Sequence, residues 1–111
     1  MKKKFLPAIH GLINAFKDQG ILIQMILGCG VILFGFFVQF SYMEWFVVLL
    51  AIGLVVGLEM MNTCIEKVCD LYSTEPNEKI EKIKDLAAGT VLFASIIALV
   101  IFVTIMIHKV L

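Results

Sequence analysis

Charge is almost absent from three long apolar stretches, and this limits the folds open to the chain more than any other feature. Residues 21–38 and 86–107 carry no charged side chain, and residues 46–58 form a third such run that ends at Glu59. At about 1.5 Å of rise per residue, roughly 20 apolar residues cross the ~30 Å hydrocarbon core of a bilayer. Unpaired backbone N–H and C=O groups are not tolerated in hydrocarbon, so such runs fold as helices. With 61% hydrophobic residues in 111 positions, residues 1–111 read as one small membrane domain, too short for a second. The expected architecture is all-α: a surface helix at about 5–18, then spans at about 21–38, 44–65 and 86–107.

Nine basic and nine acidic residues cancel, which leaves no overall field to recruit nucleic acid. Cys29, Cys64 and Cys69 are odd in number and form no C-x-x-C pair, which argues against disulfides or a zinc site. Met1-Lys2-Lys3-Lys4 has the charge of a signal-peptide n-region, but no compact apolar segment with a small-residue cleavage site follows, and no cleavage is expected. Phe5, Leu6, Ile9, Leu12, Ile13 and Phe16 recur at helical spacing between polar residues, the pattern of a helix lying on a membrane surface. Pro7 is compatible with the first turn of that helix, and His10, with no second ligand at metal spacing, reads as an interfacial side chain. Gly53-Leu54-Val55-Val56-Gly57 is a G-x-x-x-G, which favours tight packing against a neighbouring helix.

Lysine placement sets the expected orientation. Lys2, Lys3, Lys4 and Lys17 precede the first span, Lys67, Lys79, Lys82 and Lys84 lie between the second and third, and Lys109 alone falls on the other side. By the positive-inside rule the N-terminus and loop 67–85 are expected to be cytoplasmic.

The most informative polar residues follow the second apolar run directly: Glu59, Asn62, Thr63, Glu66 and Asp70. At about 100° per residue they share one helical face, and the first of them begins inside or just under the interface, where an ionisable residue is costly and marks function. The plainer alternative is that Glu59 only bonds neighbouring helices together.

Leu58-Glu59-Met60-Met61-Asn62-Thr63-Cys64-Ile65-Glu66, then Asp70, then Lys84-Asp85-Leu86-Ala87-Ala88-Gly89, resembles the signature of the small bacterial diacylglycerol kinase and undecaprenol kinase family, E-x-x-N-[ST]-A-I-E-x-x-x-D followed by A-K-D-x-A-A-[GA]. Phe5, Gly11 and Glu44-Trp45 also fall in register, so the likeness covers nearly the whole chain. It implies ATP-dependent phosphorylation of a membrane lipid hydroxyl, with ATP as co-substrate, Mg²⁺ as cofactor, and a homotrimer whose active sites are shared between protomers. Glu59 then corresponds to the general base, with Asn62 orienting it or a phosphate oxygen. Glu66 corresponds to a metal ligand, and Glu66, Asp70, Glu75, Pro76, Asn77, Lys84 and Asp85 to nucleotide contacts. The second metal-binding glutamate of the family falls on Gln19, with Asp18 beside it, and the arginine or histidine that often follows is replaced by Ile23 and Gln24.

The chemistry suits the residue types. Phosphoryl transfer is mainly positioning and charge neutralisation, Mg²⁺ is commonly held by one or two carboxylates plus phosphate oxygens, and a lysine supplies a compact cation. There is no G-x-x-x-x-G-K-[ST] and no protein-kinase glycine loop. Two other readings remain at this stage. A proton-coupled small multidrug-type transporter would need four spans and an acid in the first, and a family member without catalysis would draw its support from Gln19. The acceptor lipid is left open, with Glu44-Trp45 and Asn62-Thr63 closer to members that prefer undecaprenol.

Overall fold

The computed structural model describes residues 2–111, with side chains from residue 3 onward. Four helices follow one another: α1 (Lys2–Ala15), α2 (Gln19–Val38), α3 (Tyr42–Tyr72) and α4 (Glu78–Val110). The last three are long and apolar enough to cross a membrane, and most of their surface is left to the surroundings. The described residues hold three candidate spans, one fewer than the four-span transporter reading needs.

Sequence chemistry explains each boundary. The surface helix stops at Ala15, short of the expected 18, because Asp18 is used to begin α2: its Oδ2 accepts from the N–H of Ile21 at 3.2 Å, pairing one of the orphan donors of a helix N-terminus. Pro7 lies in the interior of α1 rather than in its first turn, since the helix already begins at Lys2. The hydrogen bond that Pro7 cannot donate is lost on an exposed helix, where water serves the freed carbonyl. Ser41 and Glu44 form a capping box at the start of α3, with Ser41 Oγ accepting from Glu44 N at 3.2 Å and Glu44 Oε1 from Ser41 N at 2.8 Å. Asn77 opens α4 by accepting from the N–H groups of Lys79 (2.9 Å) and Ile80 (3.3 Å). Nothing interrupts α3 at the expected end of the span, so the stripe from Glu59 to Asp70 rides on one continuous helix.

The buried residues fall every seven positions: Ile21, Gly28 and Gly35 on α2, and Val48, Val55, Asn62 and Cys69 on α3. On α4 the buried set is Ala87, Val91 and Ala94. A seven-residue seam is the mark of helices crossing at a shallow left-handed angle, and its small members allow close approach. Helix α3 is the hub, packing most extensively on α4 and less so on α2. The large apolar residues of α1, Phe5, Leu6, Ile9, Leu12 and Ile13, remain exposed, as a helix resting on lipid requires. Gly53 and Gly57 face open space, so the G-x-x-x-G is not used between helices of one chain. The seam passes through Val48, Val55 and Asn62 instead.

The turn from α2 to α3 is tightly determined. Gln39 adopts φ 60°, a left-handed conformation uncommon outside glycine, and the N–H groups of both Gln39 and Phe40 reach Gly35 O. Phe40 and Trp45 then cover Gly35 with ring centroids 5.1 Å apart. Lys109, arriving from the end of α4, donates to Gln39 O (3.0 Å) and pairs with Glu44 (2.9 Å). A methyl group on Gly35 would meet Phe40 at 2.5 Å and Trp45 at 2.8 Å. Gly35→Ala is therefore expected to destabilise the fold by about 1–3 kcal/mol, the usual cost of overpacking, read as a lower midpoint of thermal unfolding in detergent micelles. An unchanged midpoint would show that the two rings can move aside.

Candidate active site

The polar end of α3, the start of α2 and the first turns of α4 converge at the end of the molecule opposite Lys109. Glu59 is half-buried on α3, and its carboxylate rests against the backbone of Gly20. A methyl group placed on Gly20 would lie 2.8 Å from Glu59 Oε1 and 3.4 Å from Asp18 Oδ2, so the missing side chain is what lets the two acids approach. The negative charges of Glu66 and Asp18 both act on Glu59. Glu59 and Asp18 thus meet at Gly20, and Glu66 lies about two turns further along α3.

Asn62 stands between that cluster and the helix seam. It is only 7% exposed, its Nδ2 donates to Glu66 Oε1 at 3.0 Å, and its Oδ1 has no partner. An unpaired buried carbonyl is costly, and this one belongs to the same planar amide that touches Glu66. Thr63, expected in the polar stripe, instead donates its hydroxyl to the backbone carbonyl of Glu59 at 3.0 Å, which leaves the Glu59 carboxylate unencumbered. One turn beyond Glu66, Asp70 accepts from Lys84 Nζ at 2.7 Å and joins α3 to α4. This bond holds the Lys84 ammonium above the ordinary lysine range, so the cation stays charged, and its remaining donors are free for an anion.

The other residues singled out in the sequence are less engaged. Gln19 is exposed on the first turn of α2, and Asp85 is exposed on α4. Glu75, Pro76 and Asn77 form the exposed connection between α3 and α4, in which Glu75 N donates to Ser73 Oγ and Asn77 is occupied as the α4 cap. Asn77→Ala is expected to cost about 1 kcal/mol through lost capping alone, whereas Asn77→Asp keeps the cap. Comparing the two by thermal unfolding and by nucleotide KM separates helix capping from ligand contact. If Asn77→Asp raises KM with unchanged stability, the side chain touches the nucleotide.

Two features of the site were not singled out in the sequence. Gly20 looked like one small residue among several, and only its contact with Glu59 distinguishes it. The second is a cleft of about 390 Å³ where α2, α3 and α4 splay below Glu59. It is walled by Gly28, Val55 and Ala98 and carries polar groups at Gln24 and Ser95.

No cluster of three or more His, Cys, Asp or Glu side chains able to enclose a metal ion occurs among the described residues. The donors present are nonetheless of the type Mg²⁺ selects. It takes hard oxygens, keeps several waters and binds through one or two carboxylates together with substrate phosphates. The exposed Glu66 carboxylate, steadied on one oxygen by Asn62 Nδ2, fits that partial, open donor set.

Known proteins bear the same pattern. A family model described as prokaryotic diacylglycerol kinase matches residues 7–106. The chain is 31% identical over 108 residues to the undecaprenol kinase of Bacillus subtilis, covering 96% of this chain and 88% of that protein. It is 30% identical over 88 residues to the diacylglycerol kinase of Haemophilus influenzae, covering 78% and 75% respectively. No solved structure matches the chain significantly. With a family match along nearly its whole length and two relatives at 30% identity or more, the chain belongs to the prokaryotic diacylglycerol kinase family.

Proposed function

We propose that this protein is a membrane lipid kinase that transfers the γ-phosphoryl group of ATP to the hydroxyl of diacylglycerol or undecaprenol at the cytoplasmic face, working as a homotrimer. The observation that carries the reading is the depth order along α3. A half-buried, unencumbered Glu59 stands at the top of the apolar span, and Glu66, Asp70 and Lys84 follow outward. A lipid hydroxyl at the headgroup boundary meets Glu59, while a nucleotide arriving from water meets the outer groups.

In this mechanism Glu59 accepts the proton of the lipid hydroxyl as its oxygen bonds to the γ-phosphorus. The bond from that phosphorus to the bridging oxygen breaks, and ADP leaves. Lys84, kept charged by Asp70, neutralises phosphate oxygens as a point cation. Asn62 fixes the Glu66 carboxylate through its amide N–H, and Glu66 is the residue that would hold Mg²⁺. The metal's contribution when bound is to offset charge on the phosphates. Asp85 and residues 75–77 complete the nucleotide contacts, and the cleft between Gln24 and Ser95 takes hydrocarbon of the acceptor.

Incubating the purified protein with Mg-ATP and each lipid separately, then measuring phosphorylated lipid, tests the reading and identifies the acceptor. Phosphorylation of neither lipid by a folded, oligomeric preparation would refute it.

A further inference from the structure

We propose that Gly20 is a positioning residue, its bare Cα forming the seat that fixes where the Glu59 carboxylate stands. The inference deepens the proposed lipid-kinase reading and rests on it for its effect on turnover. Glu59 reaches the start of α2 from α3, and a methyl group on Gly20 would lie 2.8 Å from its Oε1 and 3.8 Å from its Cδ. Real Cβ atoms do not come as close as the first of these, so a side chain at position 20 displaces the carboxylate.

The seat is rigid, and the side chain resting on it is not. On one side of Gly20, Asp18 Oδ2 accepts from the N–H of Ile21 at 3.2 Å and fixes the first turn of α2. On the other, the Ile21 side chain is only 2% exposed and anchors that turn in the helix seam. Glu59 has no comparable tether. The Thr63 hydroxyl on the same face is spent on the Glu59 backbone carbonyl, and the Asn62 amide donates to Glu66. Contact with the α2 backbone is thus what limits the rotamers of this carboxylate.

Gly20 differs in kind from the other close-packed glycines. At Gly28 and Gly35 the obstacles to a methyl group are the branched side chain of Ile52 and the rings of Phe40 and Trp45, so a substitution there strains the packing between helices. At Gly20 the obstacle is the far end of a flexible, half-buried acid, which yields by turning away. The effect of a side chain at this position therefore falls on the place of the carboxylate and not on stability. Misplacing a reacting group by about 1 Å can cost on the order of 10²-fold in rate. Gly30, further along the same helix, supplies a control, since a methyl group there meets nothing within 4 Å.

The test compares Gly20→Ala with Gly30→Ala in the full chain in detergent micelles, and repeats Gly20→Ala in a Glu59→Asp background. Three quantities are read: the thermal midpoint, the rate at which dicyclohexylcarbodiimide couples to the carboxyl at position 59 by peptide mass spectrometry, and steady-state phosphorylation of each lipid. Gly20→Ala is expected to keep the wild-type midpoint, since alanine is the better helix former. It is expected to label at least about threefold faster, a coupling of the size that touching residues show. Its kcat is expected to fall by about 10–100-fold with an unchanged KM for ATP, because the proposed nucleotide groups Glu66 and Lys84 lie further out. Gly30→Ala is expected to match wild type in labelling and turnover. Glu59→Asp withdraws the carboxylate from Gly20 by one methylene, so in that background the added methyl is expected to leave labelling unchanged. Labelling no faster than wild type in Gly20→Ala overturns the proposal, as does an equal acceleration in the Glu59→Asp background. Faster labelling with wild-type kcat overturns it as well, and so does a lower midpoint that Glu59→Asp does not restore. If the wild type phosphorylates neither lipid, the lipid-kinase reading fails, and the labelling rates still decide whether Gly20 seats the carboxylate.

Discussion

Glu59→Gln is expected to lower turnover by at least about 10²-fold, the lower end of what loss of a general base removes, while leaving the fold intact. The amide matches the carboxylate in size but cannot accept the hydroxyl proton. Its effect on structure should be slight, because Thr63 bonds the Glu59 backbone carbonyl and not its side chain. Glu66 and Asp18 both repel the Glu59 charge, so removing it favours the variant's stability. A purely structural Glu59, bonding helices together, leads to the opposite pattern of lower thermal stability with retained turnover. Measuring both properties on the same folded preparation separates the two. Near wild-type turnover in a normally assembled variant would remove Glu59 from the chemistry.

The spans and the polar stripe were legible in the sequence for a simple reason. Membrane crossing and helical periodicity depend on residue type and spacing, and both are local properties. Hence the three spans, and the shared helix of Glu59, Asn62 and Glu66, agree with expectation. The hydrogen bond from Asn62 to Glu66 is a four-residue contact that helix geometry permits.

Contacts made across the chain were harder to read. Asp70 and Lys84 each stood out alone, but their 2.7 Å pairing depends on how α4 returns along α3. Gly53 and Gly57 carried the familiar packing motif, yet the seam runs through Gly28, Gly35, Ala87 and Ala94. A motif gives the spacing of small residues but not which face of the helix meets a neighbour. The early stop of α1 had a signal in Asp18, a good N-cap residue ahead of an apolar run, which the periodicity of the surface helix outweighed. Asn77 was matched to a nucleotide contact by resemblance, and its two backbone hydrogen bonds show that a conformational role accompanies whatever contact it makes.

Glu66→Gln is expected to weaken metal-dependent nucleotide binding by about 10–100-fold, the range typical when support of a metal site is removed, and excess Mg²⁺ is expected to restore part of the activity. The substitution is selective because of Asn62. Glutamine keeps an oxygen that accepts from Asn62 Nδ2, so the buried amide in the α3 seam retains its present partner and stability changes by no more than about 0.5 kcal/mol. Glu66→Leu removes both the charge and the acceptor, leaving Nδ2 of a side chain only 7% exposed unpaired, at a cost of about 1–3 kcal/mol. The pair of variants therefore divides the residue's two roles. A higher Mg²⁺ requirement in both, with lowered stability only in Glu66→Leu, assigns the charge to the metal and the oxygen to Asn62. If Glu66→Gln leaves the Mg²⁺ titration unchanged, the metal belongs elsewhere on the stripe. Asp70 is then the next carboxylate outward, and its ion pair with Lys84 would have to open to receive the cation.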